Sequence, residues 1–191
     1  NEWGSAALER AQQQVARLEQ LAGSLLDLSR LEGQAARLRC DVLDIALLAR
    51  SIAEVFASRA EQIGRQFGLD MPDSAVLVQG DETQLQRALG NVLDNAIKFT
   101  PEGGSVMLGV REAGGQVTVW VEDTGIGVPA DDMPSLFGRF HRERNAAAYP
   151  GNGLGLAIVK AIVDGHGGHI TVKHVSPHGL RVAIDLPASS A

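Results

Sequence analysis

Cysteine is almost absent from this chain of 191 residues. Cys40 stands alone, which excludes an internal disulfide framework and suits a reducing cytoplasm. A basic excess is missing as well. Lys and Arg number 17 against 23 Asp and Glu, for a net charge of −6. The chain therefore lacks the positive surface that a nucleic-acid or acidic-membrane binder needs. No apolar run reaches the roughly 18–20 residues that span a bilayer. No signal-peptide pattern opens the chain, and there is no initiator methionine. The start, "NEWGSAALER" from Asn1, reads as that of an excised fragment. What is present is ordinary for a soluble globular protein, 45 % hydrophobic and 21 % charged, with length for one full domain or a domain plus a helical appendage.

The pattern predicts one long amphipathic helix near residues 5–32, with Val15, Leu18, Leu21, Ala22, Leu25 and Leu28 as its apolar stripe and Gly33 as its stop. Such a helix cannot bury its stripe alone. Because so much of it precedes the remaining elements, a partner helix in a dimer is expected rather than packing on its own domain. Residues 1–36 are thus read as an appended helix and 37–191 as the main domain. Within that domain a short extended piece from Leu38 to Val42 leads to Asp44, an N-cap for a helix through Ile45, Leu48, Ile52, Val55 and Phe56. Short strands follow at "RQFGLD" and "AVLVQG", then a helix from Glu82 to Phe99 buried through Leu85, Leu89, Val92 and Ala96. A hairpin joins "SVMLGVRE" to "QVTVWVED" through Gly114-Gly115. A long loop from Asp123 to about Asn152 holds one helical turn near "MPSLFGRF", and such length suggests a functional segment. The helix "LGLAIVKAIVDGH" and the strands "GHITVKHV" and "LRVAIDLP" complete the chain. Helices and strands alternate irregularly around a hairpin, so the expected fold is α+β: a two-layer sandwich with helices on one face of a mixed sheet.

Three clusters carry chemistry. In "GNVLDNAIKFTP", Asn91, Asn95 and Lys98 recur at i, i+4 and i+7 and share one helix face. Each alone is a plain surface residue. Together they offer amide oxygens for a hard Mg²⁺ that keeps most of its waters and bridges to phosphates, with an ammonium for the same phosphates. In "VEDTGIGVP" a strand delivers Asp123 into a turn with Gly125 and Gly127. Alone, Asp-x-Gly-x-Gly is a turn. It also places an acceptor-only carboxylate where it can take an exocyclic amine, beside backbone that can approach a flat base. In "PGNGLGLAIVK", Gly151, Gly153 and Gly155 precede a helix whose free N–H groups face outward. No Gly-Lys-Ser/Thr follows, so this is not a P-loop, and no strand leads into it as in a dinucleotide fingerprint. A mobile glycine-rich cover over phosphates fits better. Arg139, Arg142 and Arg144 of the preceding loop can add charge there, or remain solvated.

In their order, "NVLDNAIKFTP", "VEDTGIGVP", "LFGRFHR" and "GNGLGLAIVK" closely resemble the N, G1, F and G2 boxes of sensor histidine kinases. These belong to the ATPase superfamily shared with gyrase, a class of heat-shock chaperones and the mismatch-repair ATPases. The resemblance covers essentially all of residues 5–187. "ARLEQLAGSLLDLSRLEG" resembles the second helix of the dimerisation and histidine-phosphotransfer hairpin, and "HGGHITV" with "GLRVAIDLP" resembles the closing strands. The resemblance implies the gyrase/chaperone/histidine-kinase ATPase fold, ATP and Mg²⁺ as cofactors, and transfer of the γ-phosphoryl group to a histidine for onward passage to a response regulator. It implies Asn95 as the main Mg²⁺ ligand with Asn91 beside it, and Lys98 and Arg142 on phosphate. Phe99 would line the nucleotide site and Asp123 would hold adenine. Ile126, Gly127 and Val128 would frame the base, and Gly151, Gly153, Leu154 and Gly155 would close over the phosphates. Asn152 stands where threonine is usual and Pro150 where glycine is common. It further implies a homodimer through the N-terminal hairpin. The module itself would be cytoplasmic and touch neither nucleic acid nor membrane, and its parent can be anchored in the bacterial inner membrane.

One absence concerns the reaction itself. The family's acceptor motif, a histidine followed by an acidic residue and later a proline, does not occur around His141, His166, His169, His174 or His178. The histidines of "HGGH" and its neighbours read as turn or surface residues, since no cysteine or carboxylate joins them at metal-ligand spacing. The chain is expected to hold the kinase site without its own acceptor, and not to autophosphorylate alone. The superfamily's ATPases carry a glutamate where Asn91 stands, and asparagine cannot take a proton from water. Two other readings remain: a serine kinase of the anti-sigma-factor type on this fold, and a non-catalytic nucleotide-sensing dimerisation module.

Overall fold

Two aspartates fix where the middle helices begin. Asp44 Oδ1 accepts the N–H groups of Ala46 at 3.0 Å and Leu47 at 3.2 Å, which starts helix α2 (Ile45–Gln62). It also accepts Val76 N–H at 3.1 Å, tying the helix start to the residue just ahead of the strand Leu77–Gly80. Asp81 Oδ1 does the same for Gln84 N–H at 3.1 Å and opens α3 (Glu82–Phe99). That helix ends at Thr100, whose buried hydroxyl donates to the Ala96 carbonyl at 2.7 Å, ahead of Pro101.

The computed structural model describes residues 2–33, 38–140 and 153–189, without the side chains of 2–6, 17 and 32. Beside α2 and α3 it holds α1 (Glu2–Gly33) and α4 (Gly155–Gly165). The strands are β1 (Asp41–Asp44), β2 (Gln66–Asp70), β3 (Leu77–Gly80), β4 (Ser105–Ala113), β5 (Gln116–Asp123), β6 (His169–His174) and β7 (Leu180–Pro187). Five strands form one mixed sheet in the order β2-β4-β5-β7-β6, with β2 parallel to β4 and the other pairs antiparallel. The piece expected to be extended over Leu38–Val42 is a strand only at Asp41–Asp44, where β1 pairs antiparallel with β3 as a separate two-stranded sheet. Gly114 and Gly115, at φ of 60° and 78°, make the β4–β5 turn. A short 3₁₀ turn at Met133–Ser135 lies where the helical turn of the long loop was expected.

Alternation along the strands sorts the two faces of the sheet. Val106, Leu108 and Val110 of β4, Val117, Val119 and Val121 of β5, and Val182, Ile184 and Leu186 of β7 point inward. They meet Ile52 of α2, Leu89 and Leu93 of α3, and Ile158 and Ile162 of α4 in one core. The opposite face carries Trp120, with the Arg181 and Arg111 guanidinium groups 5.1 and 6.0 Å from its ring.

The N-terminal helix departs from expectation. Its last turns pack on their own domain: Leu28 is 2 % exposed within the core, Leu21, Leu25 and Leu31 pack partly against it, and Asp27 pairs with Arg87 of α3 at 2.7 Å. The row Leu21-Leu25-Leu28-Leu31 seats against α4 and neighbouring core residues. Toward the N-terminus Leu8, Val15 and Leu18 stay exposed. No helix among the described residues is long and apolar enough to cross a membrane.

Candidate active site

The α3 residues singled out by spacing lie at the edge of the core. Asn91, Asn95, Lys98 and Phe99 are all half-buried, while Val92, Leu93, Ala96 and Ile97 between them are buried. The amides of Asn91 and Asn95 face the first residue of α4. A Cβ built on Gly155 would lie 3.7 Å from Asn95 Nδ2 and 4.0 Å from both Asn95 Oδ1 and Asn91 Oδ1. Two neutral amide side chains thus border the N-terminal end of an 11-residue helix whose cap, Leu154, offers no side-chain hydrogen bond. Lys98 turns its Nζ over the Phe99 ring at 4.2 Å. Leu154 itself is fully buried, and Gly153 takes a φ of 70°.

Asp123 closes β5, buried to 8 % exposure. Its Oδ1 accepts two backbone N–H groups, from Gly125 at 2.8 Å and Leu180 at 3.3 Å. Gly125 is required here, because a Cβ would stand 2.6 Å from Asp123 Oδ1 and 2.7 Å from the Phe99 carbonyl. The Ile126 N–H donates to that same carbonyl at 3.1 Å, which fastens the turn to the end of α3. Burial pushes the Asp123 carboxyl up from 3.8 to about 6, against the lowering effect of its two backbone donors and with a further push from Glu122. A carboxylate whose second oxygen accepts nothing among the described residues is poised to accept from a ligand.

Asn95, Phe99, Asp123, Ile126, Gly127 and Val128 converge on one cavity of about 50 Å³. Ligand pockets run to roughly 300–1,000 Å³, so this one is drawn in. Leu136 of the long loop and Leu156 of α4 also line it. Asn91, Lys98 and Gly155 do not line the cavity, and Asn91 lies beside Gly155 at the start of α4. Arg142 and Gly151, like Arg144, Pro150 and Asn152, fall outside the described residues. Among the described residues no group of three or more His, Cys, Asp and Glu could hold a metal ion.

Residues 80–190 match the family described as Histidine kinase-, DNA gyrase B-, and HSP90-like ATPase. The chain belongs to this family. Among its relatives is the signal transduction histidine-protein kinase/phosphatase MprB of Mycolicibacterium paratuberculosis, 37 % identical over 87 % of this chain and 31 % of that protein. The sensor histidine kinase WalK of Bacillus subtilis is 32 % identical over 92 % of this chain and 29 % of its own length. Full-length ShkA, solved in complex with AMPPNP, superposes with a TM-score of 0.80 at 32 % identity, over 92 % of this chain and 36 % of that one. The chain thus spans about a third of these relatives. Its domain is the ATP-binding catalytic domain of the sensor histidine kinase type within the ATPase family.

For a member of this ATPase family, the site has two halves. An apolar, carboxylate-tipped cavity suits a flat base with an exocyclic amine. A rim of two amides and a helix N-terminus suits phosphates. Sequence reading missed Leu136, Leu156, Leu180 and Val182 as cavity walls and treated Val92 as core alone. All five are aliphatic at positions where a core would place them anyway, so composition offered no signal.

Proposed function

We propose that this chain binds Mg-ATP and presents its γ-phosphoryl group to a histidine carried on a separate helical segment, as a protein histidine kinase serving a response regulator. The observation that carries the reading is the meeting of the Asn91 and Asn95 amides with the start of α4, next to the Asp123 cavity. Asp123 accepts from the exocyclic amine of adenine, and Ile126, Gly127, Val128 and Phe99 flank the ring. Asn95, with Asn91 beside it, supplies neutral oxygen ligands to Mg²⁺. The donor set fits, since a Mg²⁺ bridging phosphates keeps several waters and needs few protein ligands. When bound, the ion neutralises charge on the phosphate oxygens. Lys98 approaches the same oxygens, and Gly153, Leu154 and Gly155 cover them.

The chemistry of the acceptor follows from Asn91. An amide cannot remove a proton from water, so hydrolysis receives no general base from this position. An imidazole brings its own lone pair. The unprotonated ring nitrogen attacks the γ-phosphorus, a P–N bond forms, the P–O bond to ADP breaks, and the proton on the other ring nitrogen passes to solvent. The protein contributes position and electrostatics.

The test is transfer of label from γ-labelled ATP. The chain alone should take up none, because none of its five histidines stands in an acceptor motif. Addition of a helical segment bearing that motif should give labelled, acid-labile protein. Label on His166 or another histidine of this chain would contradict the reading, and acid-stable label would move it to a hydroxyl acceptor.

A further inference from the structure

His166 follows the last residue of α4, and both of its ring nitrogens are engaged. Nε2 lies 3.0 Å from the backbone nitrogen of Asp81, and Nδ1 lies 2.7 Å from the Ile162 carbonyl oxygen. An amide N–H only donates, so Nε2 accepts. A carbonyl only accepts, so Nδ1 carries the proton. The contact therefore needs one tautomer of the imidazole, and two backbone groups select it. The ring is also boxed in, since a Cβ on Gly80 would stand 3.0 Å from its Cδ2.

The partners give this bond a lever. Asp81 caps the start of α3, while His166 caps the end of α4. The two helices run antiparallel, for at the other end Gly155 stands beside Asn91 and Asn95. An 11-residue helix is about 16 Å long, and a rigid rod held at one end is aimed at the other. We infer that His166 is a positioning residue: by fixing the slide of α4 along α3 it sets the first amides of α4 against the Asn91 and Asn95 side chains. This rests on the Mg-ATP reading above. His166 touches no nucleotide and acts chiefly on the phosphate half of the site, because the base cavity is tied together by Asp123, Gly125 and Phe99 and takes only Leu156 from α4.

Three variants separate the bonds. His166→Gln can place an amide oxygen near the position of Nε2 and accept the Asp81 N–H. His166→Asn reaches only the Ile162 carbonyl, and His166→Ala makes neither contact. Affinity for Mg-AMPPNP should fall roughly threefold to tenfold in the Asn and Ala variants, the size of one hydrogen bond lost. The Gln variant should stay within about twofold of wild type. Adenosine, which uses the base cavity, where α4 contributes only Leu156, should lose clearly less affinity than Mg-AMPPNP in the Asn and Ala variants when followed by chemical-shift perturbation. Amide exchange at Asp81 should quicken in Asn and Ala and not in Gln. If Ala fails to fold, the Asn and Gln pair decides. Equal loss for adenosine and Mg-AMPPNP, or an Asn variant as tight as wild type, overturns the inference. Wild-type protein that binds neither ligand overturns the nucleotide reading itself.

Discussion

At Asp123 the cost of burying a carboxyl becomes a measurable pH dependence. Its pKa is raised from 3.8 to about 6 in the folded chain. Between those values the folded, empty protein holds a proton that the unfolded chain has released. Stability therefore falls as pH rises from about 4 to about 6 and levels off above, by a total of about 3 kcal/mol if the whole shift is realised. Asp123→Asn keeps an oxygen for the Gly125 and Leu180 N–H groups and has no charge to bury. Urea unfolding of Asp123→Asn should show a flatter pH profile in this window and greater stability than wild type at pH 7. Adenosine carries no titrating phosphate, so its affinity for wild type should drop below about pH 6 as the accepting carboxylate is protonated. The variant should bind adenosine weakly at every pH. A wild-type profile flat from pH 4 to 7 would contradict the burial of a titrating carboxyl at this site.

The same residue shows how much of the site short-range chemistry makes legible in the sequence. Asp123, Gly125 and Gly127 stand within five positions, and Asn91 and Asn95 one helical turn apart, so local spacing already juxtaposes them. His166 gave no such sign. Its decisive partner is a backbone N–H 85 positions away, invisible to any local pattern.

Among the elements, α1 carries two stripes where one was expected. Leu21, Leu25, Leu28 and Leu31 serve its own domain, an arrangement hidden from the sequence because one apolar row cannot say which neighbour it meets. Leu8, Ala11, Val15, Leu18 and Ala22 recur at spacings of three and four and are exposed, as a coiled-coil seam would be. Leu26, 60 % exposed, extends the bare surface toward the C-terminal end. Sedimentation equilibrium should find self-association of the chain, abolished by Leu18→Glu with Leu26→Glu at little cost to unfolding stability. Leu28→Ala should instead destabilise the fold by about 2–5 kcal/mol. A wild-type monomer at high concentration would remove the case for the seam.

For the whole molecule, one sheet and its helices bring the Asp123 cavity and the Asn91–Asn95 rim side by side, the two halves that the proposed Mg-ATP site needs. The cavity is fastened by the Leu180 N–H of β7 donating to the Asp123 carboxylate and by the Ile126 N–H donating to the Phe99 carbonyl at the end of α3, and the rim is made where α3 meets α4. The layered α+β plan was legible because strand and helix periods differ so plainly along the chain. The pairing of β1 with β3 outside the main sheet was not, since register between distant strands leaves no local trace.

Calorimetric titration of the chain with AMPPNP, with Mg²⁺ and with chelator, tests the central claim most directly. Wild type should bind more tightly with Mg²⁺. Asn95→Ala should lose that gain and keep the metal-free affinity, whereas Asp123→Ala should lose affinity in both conditions. Equal losses in the two variants, or wild-type binding that ignores Mg²⁺, would contradict the division of this site into a metal–phosphate half on α3 and a base half at Asp123.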